Sequence, residues 1–254
     1  MEILSIVSSF CGAYNDGNEE TVLFERDSSH GSTSRQSRRE TLGTVQKRKG
    51  VCIVAKYQKL LEPFSIGGVE IRNRFVMLPM TIEKVDNYHI SDDLVDFYEQ
   101  RAKGGVGLIE VGSAYICDCF DTEPKYHTTT GACGIWSDEF NPGWQRVAEA
   151  CHKHGAKVAA QLQLCYEWRA SGSDPLLSYA PSKDVPSGPF VGMPEREYTK
   201  EEIAVVVKQY GEAAKRAKDS GIDIIEIHAG IGYMVMRFLS KDSNHRTDEY
   251  GGSP

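Results

Sequence analysis

The sequence predicts an α/β fold of the (β/α)8 barrel type, of which four βα units can be traced. Three observations lead there. From Lys56 onward, short apolar runs alternate with amphipathic stretches of helical period, four times in succession. The strand-like runs are near-continuously apolar, as a parallel sheet covered on both faces requires. None is followed by the G-x-G-x-x-G turn of a dinucleotide-binding sheet, and polar residues gather at their C-terminal ends, where barrels keep their active sites. The open doubly wound sheet is the competing arrangement.

Each element has its own signal. Residues 64–71 (FSIGGVEI) read as a small hairpin, followed by a short strand over 74–79 (RFVMLP). Ser91 caps a helix whose face is Leu94, Phe97, Tyr98 and Ala102 and which Gly104-Gly105 stops. VGLIEVG (106–112) is the second strand. The helix over 142–154 carries Trp144, Val147, Ala148 and Cys151 at helical spacing and closes at Gly155. KVAAQLQL (157–164) is the third strand. Thr199 and Glu202 form a capping box for a long helix with Ile203, Val206, Tyr210, Ala213 and Ala217 on its face, ending at Gly221. IDIIEIH (222–228) is the fourth strand, and another helix starts near Tyr233.

The first 55 residues differ in character. They balance seven acids against seven bases and are poor in aliphatic residues after the first 14. Such a segment cannot offset its ordering entropy, so residues 1–55 are expected to be a disordered extension, with a misassigned start as its origin, and residues 56–254 the folded part. Glu2 occupies what would be the basic region of a signal peptide. Composition narrows the function classes. Across 254 residues, 40% hydrophobic and 26% charged describe a soluble globular protein. No apolar run approaches the roughly 20 residues of a membrane helix. A net charge of −7 argues against a nucleic-acid partner. Seven cysteines without a regular framework read as reduced thiols in the cytoplasm. Cys117-Asp118-Cys119 lacks a second pair at zinc spacing, and His152 and His154 point to different helix faces, so no metal site is expected.

The strand ends offer Thr81, Gly112-Ser113, Gln161, Gln163, Glu226 and His228. Each has a structural reading beside a functional one. Thr81 can simply begin a loop. An amide such as Gln161 in a buried strand needs hydrogen-bond partners, supplied either by a ligand's polar edge or by neighbouring backbone. His228 reads equally as a satisfied structural histidine. Tyr233, five residues on across a strand-to-helix turn, can face the same cavity as a proton donor.

Five segments carry a resemblance: LLEPFSIGGVEIRNRFVMLPMT, GGVGLIEVG, GIWSD, KVAAQLQL and EIHAGIGYMVMRFLSKDSNHRTDEYGGS. From about Lys59 to Pro254 the chain resembles the old yellow enzyme family of FMN-dependent NAD(P)H:flavin oxidoreductases. That resemblance implies a small-molecule substrate, FMN as cofactor and NAD(P)H as reductant. It implies that Pro79, Met80 and Thr81 line the flavin, that Gly112 lets the ring approach the second strand, and that Gln161 bonds its pyrimidine end. His228 is implied as donor to the substrate oxygen, and Tyr233 as the acid that protonates the α carbon.

Three departures from the family pattern stand out. Ile231 occupies the position where the family usually has Asn or His as a second oxygen donor. Leu164-Cys165-Tyr166 replaces the usual continuation of the third strand, Q-L-x-H-x-G-R. The family continues for four more strands that grip the FMN phosphate, so the resemblance implies the N-terminal half of a barrel. The activity implied is hydride transfer from NAD(P)H through flavin to an activated alkene. Alternatives are part of a longer dienoyl-CoA-reductase-like enzyme, whose iron–sulphur cluster would lie in the missing C-terminal region, and a non-catalytic half-barrel. A second copy or a complementing C-terminal half is the partner such a half-barrel calls for.

Overall fold

In the computed structural model, described for residues 57–82, 84–117, 131–164, 178–183, 195–230 and 232–252, the strands stand side by side in the order in which the chain makes them. Residues 1–55 lie outside the described residues, and so do Ile231, Cys165 and Tyr166. α1 (Gln58–Leu61) is a single turn closed by Leu60 N–H to Tyr57 O at 3.0 Å, and it belongs to a different compact unit from residues 62–254.

β1 (Phe64–Ile66) and β2 (Val69–Ile71) form the expected antiparallel hairpin. Its turn residues, Gly67 and Gly68, have φ of 54° and 84°, a region glycine enters without penalty. β3 (Val76–Met77) follows, shorter than the 74–79 expectation because only these two residues find partners, Leu108 and Ile109. β4 (Val85–Asp86) and β5 (His89–Ile90) make a second, unforeseen hairpin. α2 (Asp92–Lys103) starts where Ser91 accepts from Leu94 N–H at 3.2 Å, and buries Leu94, Tyr98 and Ala102.

β6 (Leu108–Tyr115) runs past Gly112, because β7 (Cys133–Gly134) and the next wall strand both pair with its far end. A 3-10 turn (Asp138–Phe140) leads into α3 (Asn141–His152), whose Trp144, Val147, Ala148 and Cys151 are buried. β8 (Lys157–Gln163), β9 (Ser178–Ala180) and β10 (Glu195–Glu197) come next. α4 (Lys200–Asp219) opens with the full Thr199–Glu202 capping box. β11 (Ile224–Ile227) and α5 (Met234–Leu239) complete the described chain.

The wall is therefore β3–β6–β8–β11, all parallel, with no reversal of order. A doubly wound sheet would reverse at a switch point; a barrel does not. The structure is the barrel arrangement, four strands wide. Alternate strand residues face opposite ways. Ile109, Val111, Val158, Ala160 and Leu162 join the main core beneath α2, α3 and α4. Leu108, Ala159 and Ile224 point the other way and meet Ile71 in a small apolar layer at the strands' N-terminal ends. Arg72 locks this end, donating to Ala102 O and Val106 O at 2.8 Å each and to His154 O, carbonyls in the last turn of α2 and just beyond the ends of α2 and α3.

Candidate active site

On the face opposite the helices, the residues above the apolar layer are polar. Glu110, Gln161 and Glu226 stand one step further along β6, β8 and β11, each no more than 6% exposed. Gln161 and Glu226 are register partners, and Gln161 Nε2 donates to Glu226 Oε1 at 3.1 Å. The Glu110 carboxyl lies within hydrogen-bonding reach of Glu226. Burial first, and then the neighbouring Glu226 carboxylate, push Glu110 up to about 8. Sequence reasoning misses Glu110, although an acid in the middle of the apolar run VGLIEVG is a signal that could have found it.

One step further lie Gly112 and His228. A side chain on Gly112 would meet Pro79 Cβ at 2.5 Å and Gln161 Oε1 at 3.0 Å. Pro79, Gly112 and Gln161 are thus brought together, with the Gln161 carbonyl oxygen facing the bare strand. Met80 and Thr81 sit on the exposed stretch that follows β3. Leu164, where the family pattern has histidine, is fully buried in the main core.

His228 follows β11 and Tyr233 is the residue before α5; their rings stand 4.5 Å apart, tilted by 53°. Gly232, at φ 80°, makes the turn that returns the chain to the histidine. Burial holds the His228 imidazole below its ordinary value. Gly230 N–H points at its Nδ1 at 3.4 Å, so Nδ1 is the acceptor and Nε2 carries the proton of a neutral ring. The pair can offer two donors, Nε2–H and the phenol, to one polar atom or to neighbouring atoms of a substrate.

The loop after α5 is pinned from below. Arg246 is 4% exposed at its side chain and donates to Tyr198 O at 2.7 Å, Pro181 O at 3.0 Å and the carboxylates of Glu197 and Asp248. Asn244 Nδ2 bridges Phe238 O and Tyr250 O at 2.7 Å each. Among the described residues there is no cluster of three metal-ligating side chains, and no helix long and apolar enough to cross a membrane. Cys117, Cys133 and Cys151 are buried, and Cys133 and Cys151 are free thiols.

Known proteins are similar to this chain. The chain is 39% identical over 193 residues to a metal reductase of Desulforamulus reducens, covering 76% of this chain and 28% of that protein. It is 38% identical over 202 residues to an NADPH dehydrogenase of a Geobacillus species, covering 77% of this chain and 55% of that one. Among solved structures, the old yellow enzyme of a Pichia species superimposes with a TM-score of 0.62 at 28% identity, over 77% of this chain and 52% of that chain. The chain spans from about a quarter to about half the length of these relatives. Residues 59–254 match the model of one family, and by that match the chain belongs to the NADH:flavin oxidoreductase / NADH oxidase family.

Proposed function

We propose that the chain supplies the substrate-facing half of an FMN-dependent oxidoreductase that moves hydride from NAD(P)H to an alkene conjugated with a carbonyl. The observation that carries this reading is the His228–Tyr233 pair, a neutral imidazole with its Nε2–H free to donate, set 4.5 Å from a phenol at the mouth of the strands. The residues also fit a flat heterocycle. The side-chain-free strand at Gly112, the Pro79 ring and the Gln161 carbonyl oxygen make a surface where one apolar face and one acceptor meet. Bound there, FMN would supply the hydride. Pro79, Gly112 and Gln161 would hold the ring, with Met80 and Thr81 along its edge. His228 Nε2–H bonds the substrate carbonyl oxygen and draws electron density from the alkene. Tyr233 gives its phenolic proton to the α carbon as the β carbon receives hydride, so the product is the saturated carbonyl. The free thiols of Cys133 and Cys151 support a reducing compartment, the cytoplasm.

The test is a stopped-flow comparison of the purified chain and Tyr233→Phe, with FMN and a cyclic enone in excess. Loss of a general acid costs roughly 10²–10⁴ in rate. Oxidation of reduced flavin by the enone should slow by that much, and reduction by NAD(P)H should not change. An unchanged oxidative half-reaction would overturn the assignment. The 28% coverage of the metal reductase favours a second reading, in which the chain is part of a longer iron–sulphur flavoenzyme of dienoyl-CoA-reductase type. Iron and acid-labile sulphide in the native protein would select it.

A further inference from the structure

Two buried carboxyls under the proposed flavin surface, Glu110 and Glu226, have no assigned task, and their chemistry is constrained. Glu226 is 2% exposed, and its Oε2 has no donor among the described residues other than what Glu110 can provide. Two carboxylates cannot bond each other unless one of them keeps a proton. Gln161 does not supply that donor: its Nε2 reaches Glu226 Oε1 at 3.1 Å and leaves Oε2 without a partner. We propose that Glu110 keeps its proton and donates it to the Glu226 carboxylate, and that this pair fixes the amide of Gln161 with its NH2 group inward and its carbonyl oxygen toward the mouth.

Glu226 acts here through its acceptor character. An ionised carboxylate offers no proton, so only the NH2 end of Gln161 can face it. The other end, Oε1, is then presented beside Gly112, 3.0 Å from where a side chain would begin. A ligand lying there must bring an N–H or O–H to that point. Glu110 and Glu226 are thus positioning residues, acting through Gln161. The role of a ligand rests on the flavin reading under Proposed function; the proton and the amide orientation do not.

The surroundings leave the pair to itself. From β8 it is faced by the neutral Ala159, Gln161 and Gln163; from β3 by the uncharged Val76; and from β11 by Ile224 and, beyond Glu226, the neutral His228. Lys157, at the start of β8, is held by Asp223 at 2.7 Å. Burial, followed by the Glu226 charge, is what keeps the Glu110 proton in place up to about pH 8.

The experiment needs no flavin, so its failure and a failure of the flavin reading can be told apart. Carboxyl-¹³C glutamate and side-chain-¹⁵N glutamine are incorporated into the full chain, and the pH is raised through the neutral range. The Glu110 resonance, identified by its loss in Glu110→Gln, should titrate at least a hundredfold lower in proton concentration than an exposed glutamate. The Gln161 NH2 protons should be slow to exchange and should move with the same midpoint, and that movement should vanish in Glu110→Gln. In Glu226→Gln, Glu110 should titrate at least tenfold nearer to an ordinary glutamate, and the Gln161 amide should lose its protection. This second variant decides the matter if Glu110→Gln does not fold. Titration of Glu110 in the ordinary carboxylate range, or a Gln161 amide indifferent to both substitutions, overturns the proposal.

Discussion

Replacing Gly112 by alanine adds one methyl group at the point where strand, proline and amide converge. Carbon atoms in contact sit about 3.5–4.0 Å apart. The new methyl would lie 2.5 Å from Pro79 Cβ, 3.3 Å from Pro79 Cα and 3.0 Å from Gln161 Oε1. Pro79 must therefore retreat by roughly 1 Å, and a ring within a backbone cannot do so by changing rotamer. Overpacking of this kind costs about 1–3 kcal/mol. For a folded unit of this size, each kcal/mol lowers the melting temperature by about 2–4 °C. Urea unfolding with an unchanged slope and a lower midpoint is the expected result. Gly211, on the exposed side of α4, is the control, because a side chain there meets nothing within 4 Å. Gly211→Ala should stabilise by about 0.5–1 kcal/mol through helix propensity alone. If Gly112→Ala proves as stable as the parent while Gly211→Ala behaves as stated, Pro79 and Gln161 do not close on the strand as described, and the surface proposed for the flavin is wrong.

Two further outcomes concern pH. Burial works against the Asp223 carboxylate, but bonds from Lys157 at 2.7 Å, His152 at 2.6 Å and Val158 N–H at 2.9 Å outweigh it and hold the carboxyl below its ordinary value. A depressed value gives stability that is present above the unfolded value near 3.8 and lost as pH falls through the folded one. Asp223→Asn should then cost about 2–3 kcal/mol at neutral pH by losing charge-assisted bonds, and calorimetry below pH 3 should find the gap to the parent closing. Glu110 has the opposite sign. Its raised value makes stability fully present below about 4.5 and lost as pH climbs to about 8. At 1.36 kcal/mol per pH unit the loss is on the order of 3–5 kcal/mol. Glu110→Gln, scanned by denaturant from pH 5 to 9, should flatten that decline; an equally steep one would show that another group causes it.

Much of this fold was legible in the residues because its signals are local. A capping box needs only Thr199 and Glu202, three residues apart, and Gly67-Gly68 fixes its hairpin without outside help. The parallel wall followed from apolar runs alone. What stayed hidden depends on register between strands remote in sequence. Glu110 meets Glu226 only after β6, β8 and β11 have paired, and no spacing rule brings them together. The same holds for the far half of β6, whose partners Cys133 and Gly134 lie beyond a loop. The His228–Tyr233 pair was readable because one turn joins its members, and its tautomer was not, because that rests on the direction of a single backbone N–H at Gly230.

The alternation of the wall strands has a consequence for how the chain avoids wrong pairings. Runs such as LIEV and IIEI could each slide along β8 by one residue and still bury most of their aliphatic groups. Such a slip would turn Glu110 or Glu226 to the side of Val111 and Leu162, among aliphatic residues with neither an amide nor a second carboxyl to receive it. An isolated acid in that layer costs several kcal/mol, far more than one residue's difference in apolar contact recovers. The two glutamates thus penalise misaligned sheets more heavily than they burden the correct one. Removing both should leave a wall that pairs readily but in more than one alignment.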